Sequence, residues 1–420
     1  MEPLYTLEQV IEKTVREEWG RILASLMKTL GDLQLAEDSL QDAIEAALLH
    51  WSEKGLPRSP SAWLITTARR KAIDRARRAQ NFDLKQSQIS YLTELERLCS
   101  GEDDFEGADH FSDKRLELIF TCCHPALEEK TKIALTLRTL GGLSVEEIAH
   151  AFLDKPSAMA QRMVRAKKKI KLTAIPYEIP DVEDLPERLS SVLSVVYLIF
   201  NEGYSASSGP SLIKVDLFQE AIRLGRILKE LLPGDAEVAG LLALMLLHFS
   251  RSRARLSGEG NLIALEEQNR RLWDKAFIRE GIALLKETLS LGRIGPYQLQ
   301  AAISALHVEA PSWEETDWAQ IAALYDLLYA VQPSSVVRIN QAVAVSYSQD
   351  ARAGLAMLDG IELINGLETY QPFYIAKADL MRRVSEIETA SELLEHALTL
   401  TKVEVERVFI NKRLSALKLE

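Results

Sequence analysis

Six cations fall within residues 69–78 of a chain whose formal net charge is −11: Arg69, Arg70, Lys71, Arg75, Arg77 and Arg78. Guanidinium and ammonium groups bind phosphate oxygens, and an aromatic ring such as Trp63 offers a surface on which unpaired bases stack. One acid, Asp74, lies among the cations and is expected to form local ion pairs with them. The predicted chemistry is contact with single-stranded DNA; a basic helix face exposed only to solvent is the plainer interpretation.

A second basic group lies in residues 143–171. Ser144 and Glu147 have the spacing of a capping box, and Ser157 is placed to cap the helix that follows. An apolar stripe recurs on that helix at Met159, Met163, Ala166 and Ile170. The opposite face carries Gln161, Arg162, Arg165, Lys168 and Lys169. The pattern predicts a helix-turn-helix that reads a major groove and holds phosphates; an ordinary hairpin with a solvated basic face is the alternative.

The other reactive side chains favour structural roles. Cys122, Cys123 and His124 are adjacent, so their side chains are poorly placed to meet at one metal ion, and packing is expected instead. His248 and His307 end apolar helical stretches, where core or capping roles are expected. Residues 201–209, NEGYSASSG, would form a tight connection or a ligand site. No phosphate-binding loop or catalytic triad is found, so we predict no catalytic residue, metal or cofactor.

Almost every segment that carries these residues has a helical period. Helices are predicted over residues 6–31 and 33–51, and a third begins at Pro60 with Ser59 as its N-cap. Residues 114–140 return to the helical period. The apolar run at residues 238–249 is too short to span a bilayer and predicts a buried helix. The predicted fold class is therefore all-α.

Charge and proline content divide the chain into segments. Residues 59–80 carry six cations and one acid, a balance of +5, and residues 130–175 carry ten cations and three acids, a balance of +7. The acidic residues between them lack a sustained period and predict a linker. A proline-rich stretch at residues 174–187 marks the next boundary. Beyond it, residues 318–347 predict a tetratricopeptide (TPR)-like helical hairpin, and further helices are predicted at 372–384, 385–400 and 403–417.

Composition also excludes some classes of protein. The N-terminal residues have neither the basic nor the apolar segment of a signal peptide. Three cysteines do not make a disulfide framework, which fits a reducing compartment. The sequence therefore predicts a cytoplasmic, multi-domain protein that does not bind a membrane.

Taken together, these segments resemble the sigma-70 family of bacterial transcription initiation factors, in its extracytoplasmic-function type. Residues 32–51, DLQLAEDSLQDAIEAALLHW, resemble region 2.2, which binds core RNA polymerase. Residues 62–78, AWLITTARRKAIDRARR, resemble regions 2.3 and 2.4, which open and read the −10 element. Residues 137–171 resemble region 4, which reads the −35 element as duplex. The subgroup with a TPR-like C-terminal extension is resembled by residues 119–127, 197–209, 240–248 and 295–307.

This resemblance implies a domain order and a set of contact residues. The implied order is a sigma region 2 domain at 1–80, an acidic linker at 81–113, a region 4 helix-turn-helix domain at 114–175 and a TPR-like helical extension at 186–420. The implied polymerase contacts are Asp38, Gln41 and Asp42. The −10 contacts are Trp63, Arg69, Arg70, Lys71, Arg75 and Arg78. The −35 contacts are Ser157, Gln161, Arg162, Arg165, Lys168 and Lys169.

The expected partners are core RNA polymerase, promoter DNA, and a protein partner or ligand of the extension. The expected function is an alternative sigma factor regulated by that extension. A one-component regulator, in which a helix-turn-helix is coupled to a TPR-like sensor without polymerase, is the second hypothesis. An enzyme within the C-terminal half is the third, and it would need a deep pocket with perturbed acids.

Overall fold

The computed structural model describes residues 7–80, 108–152, 154–173, 175–204, 215–289, 291–361, 367–401 and 403–418. Within these ranges the regular structure is helical, apart from one isolated antiparallel bridge between Leu256 and Leu262. The all-α prediction is confirmed. The chain divides into two compact units, Met1–Leu198 and Ile199–Glu420. No helix of the described ranges is long and apolar enough to cross a membrane.

Three long helices open the first unit and form what we call the first module: α1 (Leu7–Leu30), α2 (Leu33–Lys54) and α3 (Pro60–Gln80). Asp32 caps α2, because its Oδ1 accepts hydrogen bonds from the amides of Gln34 at 2.9 Å and Leu35 at 3.1 Å. Ser59 caps α3 as predicted, accepting from the amide of Ala62 at 3.4 Å. The three helices pack against one another around a shared apolar core.

A second module of four helices follows: α4 (Ala108–Cys122), α5 (Glu129–Thr139), α6 (Val145–Ala151) and α7 (Pro156–Leu172). Helix α4 begins six residues earlier than the predicted start at 114, and the linker residues 81–107 lie outside the described ranges. The proline-rich stretch stays with the first unit, since Tyr177 Oη donates to the carbonyl oxygens of Ala24 at 2.9 Å and Lys114 at 3.0 Å. Helix α8 (Leu185–Tyr204) crosses from the first unit into the second.

The second unit continues with α9 (Val215–Leu231), α10 (Ala236–Phe249), α11 (Lys275–Leu289) and α12 (Pro296–Glu309). Helix α10 is the predicted buried helix, and α9, α11 and α12 pack around it. Between α10 and α11 the chain makes three short 3₁₀ turns, at Ser252–Ala254, Leu265–Glu267 and Arg270–Leu272.

The unit ends in stacked helical hairpins: α13 (Trp318–Val331), α14 (Ser335–Ser348), α15 (Ala351–Asp359), α16 (Gln371–Arg383), α17 (Ile387–Leu400) and α18 (Glu404–Leu417). Each helix packs on the next, as expected of TPR-like repeats. Helix α17 begins at Ile387, two residues after the predicted start. The reason is Ser385, whose φ of 66° reverses the chain before the helix.

Candidate nucleic-acid interface

Helix α7 presents two opposite faces. Its buried face is the predicted stripe of Met159, Met163, Ala166 and Ile170. Its outward face carries the exposed side chains Gln161, Val164, Arg165 and Lys168. The predicted capping box before α6 is confirmed, because Ser144 Oγ accepts from the Glu147 amide at 3.0 Å and Glu147 Oε2 accepts from the Ser144 amide at 2.6 Å. The hairpin of α6 and α7 therefore holds a polar, basic helix face outside the core.

Ser157 does not cap α7, so that prediction was wrong. The helix begins at Pro156, and Lys155 occupies the N-cap position without a capping side chain. Proline suits the first helical position, where its fixed φ is already helical, and the helix therefore starts two residues earlier than a Ser157 cap predicts. Ser157 is exposed in the first turn of the helix.

Two further members of the predicted −35 set have partners within the chain. Arg162 Nη1 donates to Asp154 Oδ2 at 2.7 Å, and this hydrogen bond lowers the pKa of the Asp154 carboxyl. Lys169 Nζ donates to the carbonyl oxygen of Ala126 at 2.5 Å. Both side chains are thereby held against the second module.

Helix α3 does not present all its cations to solvent. Arg70 and Arg77 are exposed and Lys71 is half-buried. Arg69 is 9% exposed, and its Nη2 donates to Thr29 Oγ1 of α1 at 3.2 Å. Its place on the apolar face of α3 explains why it differs from the expected exposed cation.

Trp63 lies in the first turn of α3 and is half-buried. Its ring stacks on His50 with a centroid distance of 5.6 Å and meets Trp51 edge-on at 5.3 Å. The aromatic group therefore lies at the start of the basic helix, beside the loop that joins α2 to α3. The side chain of Arg78 lies outside the described residues.

Arg75 links the predicted −10 surface on α3 to the predicted polymerase-binding surface on α2. Its Nε and Nη2 donate to Asp42 Oδ2 at 2.7 Å and Oδ1 at 2.8 Å, and its Nη1 donates to Asp38 Oδ2 at 3.3 Å. The hydrogen bonds to Asp42 raise the pKa of the Arg75 guanidinium. The sequence analysis expected Asp74 to pair with its neighbouring arginines. The acids that bind Arg75 are instead those of α2.

An open groove of about 550 Å³ lies between α2 and α3. Its lining includes Asp42, Glu45, Leu49, Lys71 and Arg75. Leu49 is 74% exposed, an unusual state for a leucine in the middle of an acidic helix face. The lining thus combines acidic, basic and apolar groups, a mixture that suits contact with a protein surface.

The two modules meet at the N-terminal half of α2, in what we call the inter-module contact. Glu37 is 3% exposed, and its Oε2 accepts from Lys167 Nζ of α7 at 2.5 Å. Arg138 Nε lies 3.9 Å from the same oxygen. At the edge of the contact, Lys171 Nζ pairs with Asp32 Oδ2 at 2.6 Å.

Apolar and aromatic groups complete the inter-module contact. The Arg138 guanidinium lies 5.1 Å from the centroid of the Trp19 ring of α1. A Cβ atom added to Gly20 would lie 3.2 Å from the carbonyl oxygen of Leu140, so the two backbones approach closely there. The modules therefore pack directly on each other in the first unit.

Sequence reasoning missed Glu37 and Lys167, although the sequence carries a signal for the first. Leu33, Ala36 and Leu40 form the buried stripe of α2, and position 37 falls on that stripe. A single acid on an apolar helix face must find a cationic partner. Its partner could not be named in advance, because Lys167 follows it by 130 residues.

Cys122 and Cys123 are buried in the second module. The Cys122 thiol lies 3.1 Å from Thr139 Oγ1, and the Cys123 thiol lies 3.5 Å from Thr136 Oγ1. Burial raises the pKa of Cys123 to about 11 and raises that of Cys122 further. The expected packing role is confirmed by these contacts. In the described part of the chain, no three His, Cys, Asp or Glu side chains are grouped as metal ligands.

The two histidines of the extension are both largely buried. His248 Nε2 lies 3.0 Å from Ser304 Oγ, and the His307 ring stacks on Trp313 at 6.2 Å. Residues 201–204 end α8, whereas residues 205–209 of the NEGYSASSG segment lie outside the described residues.

Comparison with known families accounts for both modules. Residues 15–82 match the family described as Sigma-70 region 2, and residues 117–170 match Sigma-70, region 4. Residues 188–289 match a family of unknown function.

An uncharacterized protein of Rhizobium meliloti (strain 1021) is 41% identical over 400 residues, covering 95% of this chain and 93% of the relative. The similarity therefore includes both modules and the C-terminal helices. No solved structure matches the chain.

Proposed function

Because the chain belongs to the sigma-70 family of transcription initiation factors, we propose that it directs core RNA polymerase to promoters under the control of its C-terminal helical array. It is an alternative sigma factor of the extracytoplasmic-function type with a C-terminal extension. The observation that carries the proposal is the occurrence of region 2 and region 4 in one chain. The role is regulatory, and its site is the cytoplasm, where polymerase acts.

Region 4 would read the −35 element with the outward face of α7. Gln161 and Arg165 are exposed on successive turns and can donate to base edges in a major groove. Lys168, one turn further, would contact phosphates. Val164 is 59% exposed between them and offers methyl groups to thymine. The edge of this DNA-binding face would be formed by Ser157, Arg162 and Lys169. Arg162 and Lys169 must first break their hydrogen bonds to Asp154 and to the Ala126 carbonyl before they can contact DNA.

Region 2 would contact the −10 element with α3. Arg70, Lys71 and Arg77 supply cations along the helix, and Arg78 continues the series in sequence. Trp63 and the loop at residues 55–59 lie where an unstacked base could be held against a ring. Arg69 would act by holding α3 against α1, since it is buried.

Core polymerase would bind the outward face of α2. Asp38, Gln41, Asp42 and Glu45 repeat along that face, and the exposed Leu49 continues it. Carboxylates repel DNA, so this surface suits a basic protein partner, and the leucine supplies the apolar anchor that protein interfaces use. In this arrangement Arg75 belongs to both surfaces.

Transcription of genomic DNA with purified core polymerase tests the proposal, with the 5′ ends of the RNA sequenced. We expect new start sites that share an upstream sequence motif. A protein that binds DNA fragments but produces no start sites beyond those of core alone would contradict the sigma function and favour the one-component regulator.

The polymerase surface needs variants that leave the ion pairs within the chain intact. Reversal of Asp38 and Asp42 would also release Arg75, so the double variant Gln41→Lys, Glu45→Lys is the cleaner choice because both side chains are exposed. We expect core binding to weaken by about tenfold or more, with −35 duplex binding unchanged. The matched control is Glu392→Lys, Glu395→Lys on exposed positions of α17. Equal loss in both double variants would contradict a specific surface.

The regulatory role of the extension is tested by truncation. Deletion from Pro186 would remove contacts of the first unit, because Arg188 Nη2 donates to the Phe120 carbonyl at 2.9 Å and Ser191 Oγ donates to that of Cys123 at 3.0 Å. The truncated chain should therefore end after Tyr204. Raised transcription would mean that the extension inhibits, and lost transcription would mean that it is required. Unchanged transcription would contradict regulation by the extension.

A further inference from the structure

The second unit contains a group of three arginines, of which two are buried and the third is half-buried. Arg251 and Arg255 are 6% and 8% exposed, just after the buried helix α10. Arg270 lies on the last 3₁₀ turn before α11, and its guanidinium is 4.6 Å from the centroid of the Trp273 ring. Burying a guanidinium is costly unless an anion or a full set of acceptors surrounds it. We call these three residues the arginine cluster.

Two members of the arginine cluster, Arg251 and Arg270, have buried nitrogens without acceptors among the described residues. The buried Nε of Arg251 has no hydrogen-bond partner among the described residues, and Arg251 forms no ion pair with any of them. Arg270 Nη1 donates to the carbonyl oxygens of His307 at 2.6 Å and Ala310 at 2.7 Å, yet its buried Nη2 has no partner there. Carbonyl oxygens accept hydrogen bonds but do not neutralise the charge.

Hydrogen bonds between these segments bring the three arginines into one neighbourhood, because the Asp274 amide donates to the Ser250 carbonyl and Arg270 Nη1 donates to the His307 carbonyl. The charges of the arginines act on two histidines there. Burial lowers the pKa of His248 well below its usual value, and the charges of Arg251 and Arg255 lower it further. Burial lowers the pKa of His307 to about 3, with the charges of Arg251 and Arg270 acting in the same direction. Both histidines are therefore neutral at pH 7 and add no positive charge.

No carboxylate of the described residues contributes to either histidine shift, and the acid that acts on Arg270 is Glu314, which is exposed to solvent. Among the described residues, Arg251 and Arg270 therefore have no ion-pair partner, and the acid whose charge acts on Arg270 is solvated. Hydrogen bonds fix the surrounding backbone, since the Ile263 amide donates to the Arg255 carbonyl and the Asp274 amide to the Ser250 carbonyl, each at 2.8 Å. The site is therefore positively charged, has a hydrogen-bonded backbone, and contains donors without acceptors among the described residues.

We propose that the arginine cluster is a binding site for a small molecule that bears an oxyanion, either a phosphate or a carboxylate. Guanidinium groups present planar pairs of donors that match both kinds of oxyanion. Arg251 Nε and Arg270 Nη2 supply donors that the chain itself leaves unused, and His307 Nδ1, which is buried without a partner in the described residues, supplies a further polar atom. The aromatic rings of Trp273 and Trp313 border this group through Arg270 and His307. The site does not depend on the proposed sigma function.

The experiment uses the full chain, purified without phosphate or carboxylate buffers. Thermal unfolding is measured in sodium phosphate, sodium succinate and sodium chloride at matched ionic strength. We expect phosphate or succinate at millimolar concentration to raise Tm by about 3 °C or more above chloride. A response to phosphate alone assigns a phosphate ligand, and a response to succinate alone assigns a carboxylate. No shift with either anion overturns the proposal.

Variants localise the effect. In Arg251→Met the half-saturating anion concentration should rise at least tenfold, whereas the control Arg226→Met, which removes a half-exposed arginine paired with Glu280, should leave it unchanged. An equal response of wild type and Arg251→Met overturns the site. Should Arg251→Met fail to fold, Arg251→Lys keeps the charge but loses the planar donors, and at least a threefold weaker response is expected. An unchanged response of Arg251→Lys then overturns it.

Hydrogen exchange gives a readout confined to the site. The anion that raises Tm should slow exchange in peptides that cover residues 248–273 in wild type. Slowed exchange only in peptides of the first unit, whose basic helices also attract anions, would overturn the assignment.

Discussion

Glu37 carries the inter-module contact at the scale of single residues. Its side chain is 5% exposed, and that of Lys167 is 11% exposed, so both charges are removed from water. An isolated carboxylate in this position would cost several kcal/mol, and the ammonium and Arg138 offset that cost. One acid of region 2 therefore depends on two cations of region 4.

We predict that Glu37→Gln lowers the free energy of unfolding of the first unit by about 3 kcal/mol, because it leaves Lys167 buried without a counter-charge. Urea denaturation of the full chain, followed by fluorescence, measures this change. The control Asp32→Asn keeps a side chain able to cap α2 and removes only the pair with Lys171, which is 73% exposed, so it should cost less than about 1 kcal/mol. Equal costs for the two variants would contradict a special role for the buried pair.

Residue types predicted the surfaces better than they predicted the contacts. The cations of α3, the acids of α2 and the polar face of α7 could be recognised from period and composition. The pairing of Arg75 with Asp42 could not, since 33 residues separate them and the crossing of α2 and α3 sets their distance. Burial of Arg69 follows from the rotation of α3 against α1, which a run of basic letters does not reveal.

At the scale of helices, the residue that ends α16 determines where α17 begins. Ser385 has a φ of 66°, and the amides of Ser385 and Glu386 donate to the carbonyls of Arg382 and Met381, each at 2.9 Å. This is the C-terminal turn of α16, which favours glycine because a Cβ atom is strained in the left-handed region. Serine at this position therefore strains the backbone between α16 and α17.

Ser385→Gly should raise the free energy of unfolding of the second unit by about 0.5–1 kcal/mol. Chemical denaturation of the full chain measures the change. The control is Ser415→Gly in the last turn of α18, where the side chain is exposed and glycine should cost up to about 1 kcal/mol. A loss of stability at both positions would mean that the strain at Ser385 is absent.

The buried histidine of α12 makes the second unit sensitive to acid. The pKa of His307 is about 3 in the folded chain and about 6.5 when unfolded. Between these values the unfolded state binds the extra proton, so stability is present at pH 7 and is lost as pH falls below about 6.5. We predict a loss on the order of 1–2 kcal/mol between pH 7 and pH 5.

Urea midpoints of wild type and His307→Gln at the two pH values measure this contribution. The variant should lose less stability on acidification than wild type, whatever its stability at pH 7. Parallel losses in both proteins would assign the acid sensitivity to other groups.

Helix existence and type were predictable over nearly the whole described chain, because the apolar period is strong and caps such as Ser59 and Ser144 mark the starts. The arginine cluster was not predictable. Arg251, Arg255 and Arg270 lie in a segment of short turns without a period, and only the folding of that segment reveals that the first two are buried and the third is half-buried.

At the scale of the first unit, the inter-module contact conflicts with the geometry of a promoter. The −10 and −35 elements are centred about 25 base pairs apart, which is about 85 Å of B-form DNA. Helix α2, with 22 residues, spans only about 33 Å. Two modules that touch through Glu37 and Lys167 cannot each sit on its element. With region 2 and region 4 on these elements as proposed, the modules would have to separate, so we predict that the packed state is that of the protein without polymerase.

Energy transfer between dyes tests this separation. Dyes attached at Glu53→Cys and Glu146→Cys, both exposed, report the distance between the modules in a Cys99→Ser background. We predict high transfer in the protein alone and a marked decrease when core polymerase and promoter DNA are added. The Glu37→Gln variant should show lower transfer before any partner is added. High transfer in the complete complex would contradict separation.

The two buried thiols of the second module can report how often that module opens, through the rate at which they react. With a pKa of about 11, the Cys123 thiol is reactive in only about one molecule in ten thousand at pH 7, even before its burial is considered. Because both thiols are buried against α5, a thiol reagent can reach Cys122 and Cys123 only after α4 and α5 separate. Modification rates of Cys122 and Cys123, measured in a Cys99→Ser background with and without polymerase, would therefore report how often region 4 opens.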